Sequence, residues 1–587
     1  MQTLEALVKA QFEQALRVVV GKEGADPMVR LAGDERFGDF QSNAAMGLAK
    51  QLQKNPREIA QQIMDNLPDT SLFEKTEIAG PGFINITLKN SVLAKRLEQM
   101  AKSSSLAIDP DPKPRHTVID FSSPNLAKEM HVGHLRTTLT GEVIARVLEF
   151  RGHSVDRMNH VGDWGTQFGM LLQYIYEHQP EVLQNPESFA VENLEGFYKK
   201  AKARFDEDED FKNAAREKVV LLQSGDAVAT KVWQAFLKES LKHCHLIYDE
   251  LGVRLEDKGE SFYNPFLADV VKTFKDKALA KEDDGAVCVY LEGFQNRDGE
   301  PLPLIIQKKD GGYNYATTDL AAIRYRVNEQ NAKRIIYVTD NRQEQHFKMV
   351  FAAARAIGWV PDDVELQHIG YGMVLGSDRK PFKTRDGGTV RLKDLLGEAV
   401  ARAQEVIVRN KEERGQDLSD DQVNDIAKKV GFAAIKYSDL SHNLSSDYQF
   451  SWDKMLAMDG NTGPYMLYAY ARVKSIGRKG QVDFDQILKT AAINLDHPTE
   501  RQLAKVLNRF GDVCETVGQE LRPILITEYL YQLSKAFSGF YDKKAGVSVL
   551  EAPDQDTKNS RLALCALTAA VLKTGLGLLS IEVLEEM

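Results

Sequence analysis

The chain has 587 residues, 43 % hydrophobic and 27 % charged, with a formal net charge of −10; this is the composition of a globular protein large enough for several domains. An acidic chain is no general polyanion binder, because neutralising phosphates takes Lys and Arg, so a nucleic-acid partner has to meet a locally basic face. Cys244, Cys288, Cys514 and Cys565 lack metal-ligand or redox spacing, no apolar run reaches the roughly 18 residues of a membrane helix, and the N-terminus does not read as a secretory leader; a cytoplasmic protein with no resident metal and no membrane partner is expected.

Residues 1 to about 108 read as a first, α+β domain. Leu4, Leu7, Val8, Phe12, Ala15 and Val19 stripe one face of a helix. Phe37-Gly38-Asp39-Phe40-Gln41 leads into a second helix over Asn43 to Leu52. Gly80-Pro81-Gly82 turns into an alternating strand up to Leu88, which puts Phe83 and Asn85 on one face. A ring beside an amide can stack on and hydrogen-bond an unpaired base; core packing of Phe83 is the alternative. Pro110, Pro112 and Pro114 mark a linker.

An α/β domain with a parallel, doubly wound sheet is expected from about 115 to 395. Val118, Ile119 and Phe121 form a buried strand, and Ser122-Ser123-Pro124-Asn125 a polar loop. His131-Val132-Gly133-His134 then opens a helix carrying Leu135, Leu139, Val143 and Val147 at three- and four-residue steps, before a second strand over His153 to Met158. The loop lies at the carboxyl end of the first strand, where open α/β sheets bind ligands. His131 and His134 share a helix face, Gly133 leaves room for a ligand, and the helix amino end offers free N–H groups to a phosphate. Solvated or metal-binding histidines are the alternative.

A largely helical, charged insertion follows from about 180 to 260, whose acidic run Asp206 to Asp210 reads as a solvated loop. The parallel-sheet pattern resumes with strands at Gly285 to Tyr290, Leu304 to Gln307 and Arg334 to Val338. Asp319 is the first choice for a carboxylate facing a cationic side chain, with Tyr315 four residues earlier on the same face if the helix begins there. Capping of the helix by Asp319 is the alternative. A strand over Tyr371 to Gly376 precedes the basic, glycine-ended loop Ser377 to Gly388, a form suited to a phosphate clamp, with a solvated loop as the alternative.

Residues from about 396 to 455 read as a helical bridge, and about 456 to 587 as an all-α domain. Tyr465, Tyr468 and Arg472 fall on one helical face able to stack on splayed bases. A core stripe is the alternative, weighed against nearby Lys474, Arg478 and Lys479. Leu525, Tyr529, Leu533, Phe537 and Tyr541 form an interior stripe on a later helix.

The stretch Val118 to Arg136 resembles the class I aminoacyl-tRNA synthetases, whose H-I-G-H signature occupies this place. The longer S-S-P-N-L-A-K-E-M-H-V-G-H-L-R, together with N-H-V-G-D-W-G-T-Q-F-G at Asn159 to Gly169, F-G-D-F-Q and G-P-G-F-I-N, is similar to the arginyl-tRNA synthetase family in its bacterial form. That resemblance implies an arginine pocket at Asp120, Ser122, Asn125, His134, Tyr315, Asp319 and Gln343, with Asp120 and Asn125 on the α-amino and carboxylate groups. It implies ATP contacts at His131, Gly133, His134, His346, Met373 and Val374, with a magnesium ion accompanying ATP. The family's K-M-S-K-S loop is degenerate here: Phe382 takes the Met place and Thr384 that of the second lysine. Lys128, upstream of the histidines, is expected to replace that lysine, and Lys383 and Arg385 to meet the pyrophosphate. Phe83 and Asn85 fall in the domain that contacts the tRNA D-loop, and Tyr465, Tyr468, Arg472 and the terminal Met587 near the anticodon.

The function so implied is ATP-dependent activation of L-arginine and its transfer to the terminal adenosine of tRNA(Arg), by a monomer. A nucleotidyltransferase acting off tRNA would have no use for the two flanking domains. A catalytically dead RNA-binding relative would be expected to have lost His131, His134 or Asp319.

Overall fold

The computed structural model describes residues 1–191, 193–383, 390–414, 417–542 and 547–587. The first helix, Leu4–Val20, is capped by the Thr3 hydroxyl, which accepts the Ala6 N–H, and buries Leu4, Val8, Phe12, Ala15 and Leu16. It packs beside an antiparallel sheet of β1 (Val29–Leu31), β2 (Phe40–Ser42), β3 (Phe73–Ala79) and β4 (Phe83–Leu88), in the order β1-β2-β4-β3. Asn43 precedes the expected second helix, which begins at Ala44.

The catalytic-type sheet starts with β5 (His116–Asp120), β6 (Ser154–Asn159) and the short β7 (Glu256–Asp257). Helix Val132–Phe150 joins the first two and lies so close to the sheet that a Cβ on Gly141 would come 2.1 Å from the Phe121 ring. The insertion is a set of helices, Thr166–His178, Leu194–Glu207, Glu209–Gln223 and Ala227–Leu251. The acidic run is not a loop: Asp208 alone breaks the helix, and its carboxylate caps the next one by accepting the Asp210 and Phe211 N–H groups. Negative charge in a first helical turn is favourable, which suits Glu209 and Asp210; Asp206 and Glu207 end the preceding helix.

The apolar runs after the insertion do not join the parallel sheet. β8 (Ala280–Asp283), β9 (Ala286–Gln295) and β10 (Pro301–Gln307) make a separate antiparallel sheet. Asp284 and Gly285, with φ of 46° and 78°, form the two-residue turn that reverses β8 into β9, and a hairpin can only pair antiparallel. β11 (Arg334–Asp340) and β12 (Glu365–Tyr371) return to the first sheet, whose parallel order is β12-β11-β5-β6-β7. The chain thus enters at the centre, winds to one edge, then crosses back to the other. The switch point lies between β5 and β11, where such sheets open a crevice.

Gly372 interrupts the strand expected over Tyr371 to Gly376; a Cβ there would meet the Ser446 backbone at 2.5 Å. Beyond it β13 (Val374–Leu375) pairs in parallel with β14 (Tyr448–Gln449). The bridge is a pair of helices, Leu392–Arg414 and Asp420–Leu440. The C-terminal helices pack around Gln555–Leu578, which by length and composition could cross a membrane but has 72 % of its apolar window buried in the protein. One hydrophobic cluster runs unbroken from the first helix through Ile119 and Phe121 to this last helix; a second, with Val118, Met158 and Tyr337, fills the opposite face of the sheet.

Candidate active site

Beyond Asp120 the chain turns through Ser122 and Ser123, both with positive φ (69° and 46°), a conformation that costs a non-glycine residue ~1–2 kcal/mol. Hydrogen bonds hold it there. The Ser122 N–H donates to Thr137 Oγ1 at 3.0 Å and the Ser123 N–H to Asn159 Oδ1 at 2.9 Å. Ser122 Oγ is buried between Tyr248 OH (2.8 Å) and Thr138 Oγ1 (2.9 Å), so its hydroxyl supports the turn. Asn125 is exposed, with Oδ1 accepting the Ala127 N–H. Asp120 is buried; Oδ1 accepts the Ser123 hydroxyl at 2.9 Å and Oδ2 the Arg326 guanidinium at 2.6 Å.

The two histidines cap the helix they open. The Gly133 N–H donates to His131 Nδ1 (3.1 Å), and the His131 N–H donates to His134 Nδ1 (3.0 Å). Since each Nδ1 accepts, each ring carries its proton on Nε2. Burial drives the His134 pKa down to about 3, with His131 adding to the effect, and burial with Lys128 nearby lowers that of His131. The pair is therefore neutral: two Nε2–H donors, not two cations. The helix amino end does not offer the free N–H groups expected of it. Val132 N–H goes to Val390 O (3.0 Å), Gly133 N–H to His131, and His134 N–H to His131 O (2.8 Å). Gly133 makes room for the His131 ring, which a Cβ would approach to 2.8 Å, rather than for a ligand. Lys128 is exposed, its Nζ 4.9 Å from the Tyr198 ring of the insertion.

Across the switch point, helix Tyr315–Asn328 begins after Asn314, so Asp319 is not its cap and shares a face with Tyr315. Asp319 Oδ2 and His346 Nε2 are 2.6 Å apart, and the exposed Tyr315 ring lies edge-on to His346 at 6.2 Å. His346, expected to meet ATP, is thus engaged with Asp319, expected to meet arginine. Gln343 is exposed at the end of the short turn Asn341–Gln343. Glu260 joins this group unannounced by the sequence: burial pushes its pKa up to about 7, with Asp163 and Asp319 adding negative charge. Asp163 is itself buried, accepting Ser261 N–H (2.8 Å) and Oγ–H (2.6 Å). The crevice holds an excess of carboxylate that suits a cationic side chain.

Just past β12, the Met373 N–H donates to Asp447 Oδ1 (2.6 Å) and its C=O accepts from the Tyr448 N–H (3.1 Å), while the Met373 side chain is exposed. Val374 is buried beneath it. Phe382 stacks on Phe450 at 4.5 Å, a contact that explains an aromatic ring in the Met place of the loop signature. Lys383 is exposed; Thr384 and Arg385 lie outside the described residues. Among the described residues no group of three or more His, Cys, Asp or Glu could hold a metal ion.

Residues 98–452 match the family described as tRNA synthetases class I (R), catalytic domain; residues 4–88 match the arginyl tRNA synthetase N terminal domain, and 466–587 the DALR anticodon binding domain. The arginine–tRNA ligase of Nostoc sp. is 51 % identical over 590 residues, covering 100 % of both chains, and that of Synechococcus elongatus is 50 % identical over 99 % of both. The chain belongs to the arginyl-tRNA synthetase family. The crystal structure of the arginyl-tRNA synthetase from Plasmodium falciparum superposes with a TM-score of 0.87 at 31 % identity, and the Thermus thermophilus one shares the fold at 0.81 and 23 %, each covering 100 % of both chains.

The flanking domains of this synthetase family member carry the residues expected to face RNA. Asn85 is buried, with Oδ1 accepting from Gln41 Nε2 (2.8 Å), so the two N-terminal motifs meet across the β2–β4 pair beside the half-buried Phe83. Tyr465, Tyr468 and Arg472 are half-buried; Arg472 lies 5.5 Å from the Tyr541 ring, and Tyr465 is edge-on to Tyr531 at 6.2 Å. Tyr541, read as interior, is half-buried on this face instead. Tyr468 and Met587 line one apolar pocket with Leu456 and Met458. Lys474 and Arg478 are paired with Glu585 and Glu586 of the C-terminal tail.

Proposed function

We propose that this chain is an arginine–tRNA ligase: it activates L-arginine with magnesium-ATP and transfers it to the terminal adenosine of tRNA(Arg). The observation that carries the reading is that one switch point sets a neutral histidine pair opposite a carboxylate-rich crevice. The guanidinium of the substrate meets Asp319 and Glu260, flanked by Tyr315 and Gln343, and the α-ammonium meets Asp120. The substrate carboxylate attacks the α-phosphorus of ATP, the α–β bridging P–O bond breaks, and pyrophosphate leaves. Negative charge grows on the α-phosphate oxygens, and the His131 and His134 Nε2–H groups are preorganised to donate to them at no cost in reorientation. Lys128, Lys383 and Arg385 supply the cations around the phosphates. The ion enters on ATP as part of the substrate. A ribose hydroxyl of the tRNA, the 2′-hydroxyl in a class I enzyme, then attacks the carbonyl of arginyl-adenylate and AMP leaves.

The site is built from one chain whose domains share a continuous core, which suits a monomer. All four cysteines are free and buried, which suits the reducing cytoplasm. The test is acid-precipitable charging of total tRNA with ATP, magnesium and each amino acid in turn. Charging with arginine alone is expected; binding of tRNA without charging by any amino acid would overturn the reading.

A further inference from the structure

Arg326 is the one arginine in the described residues with no exposure, and it lies on helix Tyr315–Asn328, two turns beyond Asp319 and so on the same face. Its Nη2 donates to Asp120 Oδ2 at 2.6 Å. The guanidinium lies 5.1 Å from the Tyr337 ring, beside the buried phenol of Tyr263, and its Nε and Nη1 find no hydrogen-bond partner among the described residues. His160 stacks on Tyr263 and sets Nδ1 3.8 Å from the same Asp120 oxygen. This is an expensive arrangement for a packing role, because a buried ion pair rarely outperforms an apolar one of equal volume.

We propose that Arg326 is a positioning residue for arginine, acting through Asp120: it pairs with the buried carboxylate and fixes its orientation toward the α-ammonium, while Asp319 on the same helix takes the guanidinium. This rests on the assignments of Asp120 and Asp319 above. Three features support it. A carboxylate has about four acceptor positions; Ser123 and Arg326 occupy two, which stops the group rotating and leaves the others in set directions. Without Arg326 the buried Asp120 would lose the guanidinium that offsets its burial and sets the direction of Oδ2. Finally, Asp319 and Arg326 are about 10 Å apart along one rigid helix axis, so a single element sets the distance between the anions that hold the two ends of the substrate.

The experiment compares Arg326→Lys, Arg326→Gln, Asp120→Asn and the double variant Asp120→Asn/Arg326→Gln in pyrophosphate exchange with cognate tRNA present. Thermal unfolding is run on each. Arg326→Gln is expected to raise the KM for arginine at least tenfold and leave the KM for ATP within twofold, with Arg326→Lys recovering part of the loss. The double variant, which removes both charges, is expected to regain thermal stability yet stay impaired for arginine. Recovery of arginine KM together with stability would make Arg326 a packing residue and overturn the inference, as would equal increases for arginine and ATP. Asp120→Asn separates the two layers: if it raises the arginine KM and Arg326→Gln does not, only the role of Arg326 falls. If Asp120→Asn leaves the arginine KM unchanged, the assignment of Asp120 falls and this inference with it.

Discussion

Arg136 and Asp439 form an ion pair at 3.2 Å with both side chains buried. Arg136 lies two residues past His134 on the same helix, and Asp439 near the end of the bridging helix Asp420–Leu440. Arg136 also donates to Gly372 O (2.9 Å) and Ser446 O (3.0 Å), and its guanidinium lies 5.1 Å from the Tyr448 ring. One side chain thus ties the histidine helix to Gly372, just past β12, and to the bridge. Removing one partner of a buried pair strands the other charge and costs ~3–5 kcal/mol. Arg136→Met should lower unfolding free energy by that amount in urea titrations, and Arg136→Met/Asp439→Leu should recover most of it. A loss below ~1 kcal/mol in the single variant would show that the charge is not buried in solution.

Asp319→Ala should cut kcat/KM for arginine by about a hundredfold, about 2.7 kcal/mol, because charge-assisted hydrogen bonds to a guanidinium are lost. The KM for ATP should stay within threefold; equal losses for both substrates would remove Asp319 from the guanidinium site. Glu260 adds a pH signature. Its pKa is raised from 4.5 to about 7, by burial first and then by Asp163 and Asp319. Below pH 7 it is protonated and offers less charge to a cation, so kcat/KM for arginine should rise from pH 6 to 8, and Glu260→Gln should flatten that rise. The stability sign is opposite. Between about 4.5 and 7 the folded state holds a proton the unfolded state has released, so this group favours folding less as pH rises through that window.

The order of domains and the histidine motif were legible because they rest on local pattern: apolar period, glycine and proline punctuation, and a polar loop at a strand end. The strands read at Gly285 to Tyr290 and Leu304 to Gln307 belong to another sheet than the sequence pattern suggests, because an apolar run reads alike in a parallel or an antiparallel sheet; the two-residue turn Asp284-Gly285 is the signal that decides it. Glu260 and Arg326 were missed for a different reason. Their partners Asp163, Asp319 and Asp120 lie far along the chain, and only the fold brings them together. The free helix amino end expected at His131 failed because side chains and Val390 used the N–H groups first.

The histidine geometry makes a test possible that separates capping from catalysis. Asn can place its Oδ1 where His134 Nδ1 accepts the His131 N–H, but has nothing at the Nε2 position. His134→Asn should therefore keep the helix cap and unfold near the parent temperature. Losing one preorganised donor to developing phosphate charge costs about 10²–10³ in rate. Adenylate formation should fall by that factor with substrate KM values little changed. A fall in unfolding temperature of several degrees, with activity lost in proportion to folded protein, would make His134 a capping residue only.

Asp39, the acid in the N-terminal F-G-D-F-Q string, gives the last test. It is buried, accepts the Leu88 N–H (2.8 Å) and the Arg501 guanidinium (2.7 and 3.1 Å), and pairs with Lys505 (3.1 Å), the latter two from the C-terminal helix Pro498–Asn508. Burial alone would raise its pKa; the Arg501 pair, the Leu88 N–H and Lys505 outweigh it and leave the group below its ordinary 3.8. A depressed carboxylate contributes stability that is full above its unfolded pKa and is lost as pH falls through the folded one. Asp39→Asn should thus destabilise the protein by ~1–3 kcal/mol at pH 7, the range for a hydrogen bond to a charged group. The gap to the parent should narrow below pH 3.8, where the parent protonates too. A gap that stays constant from pH 7 to 3 would mean that shape rather than charge docks the N-terminal domain against the C-terminal helices.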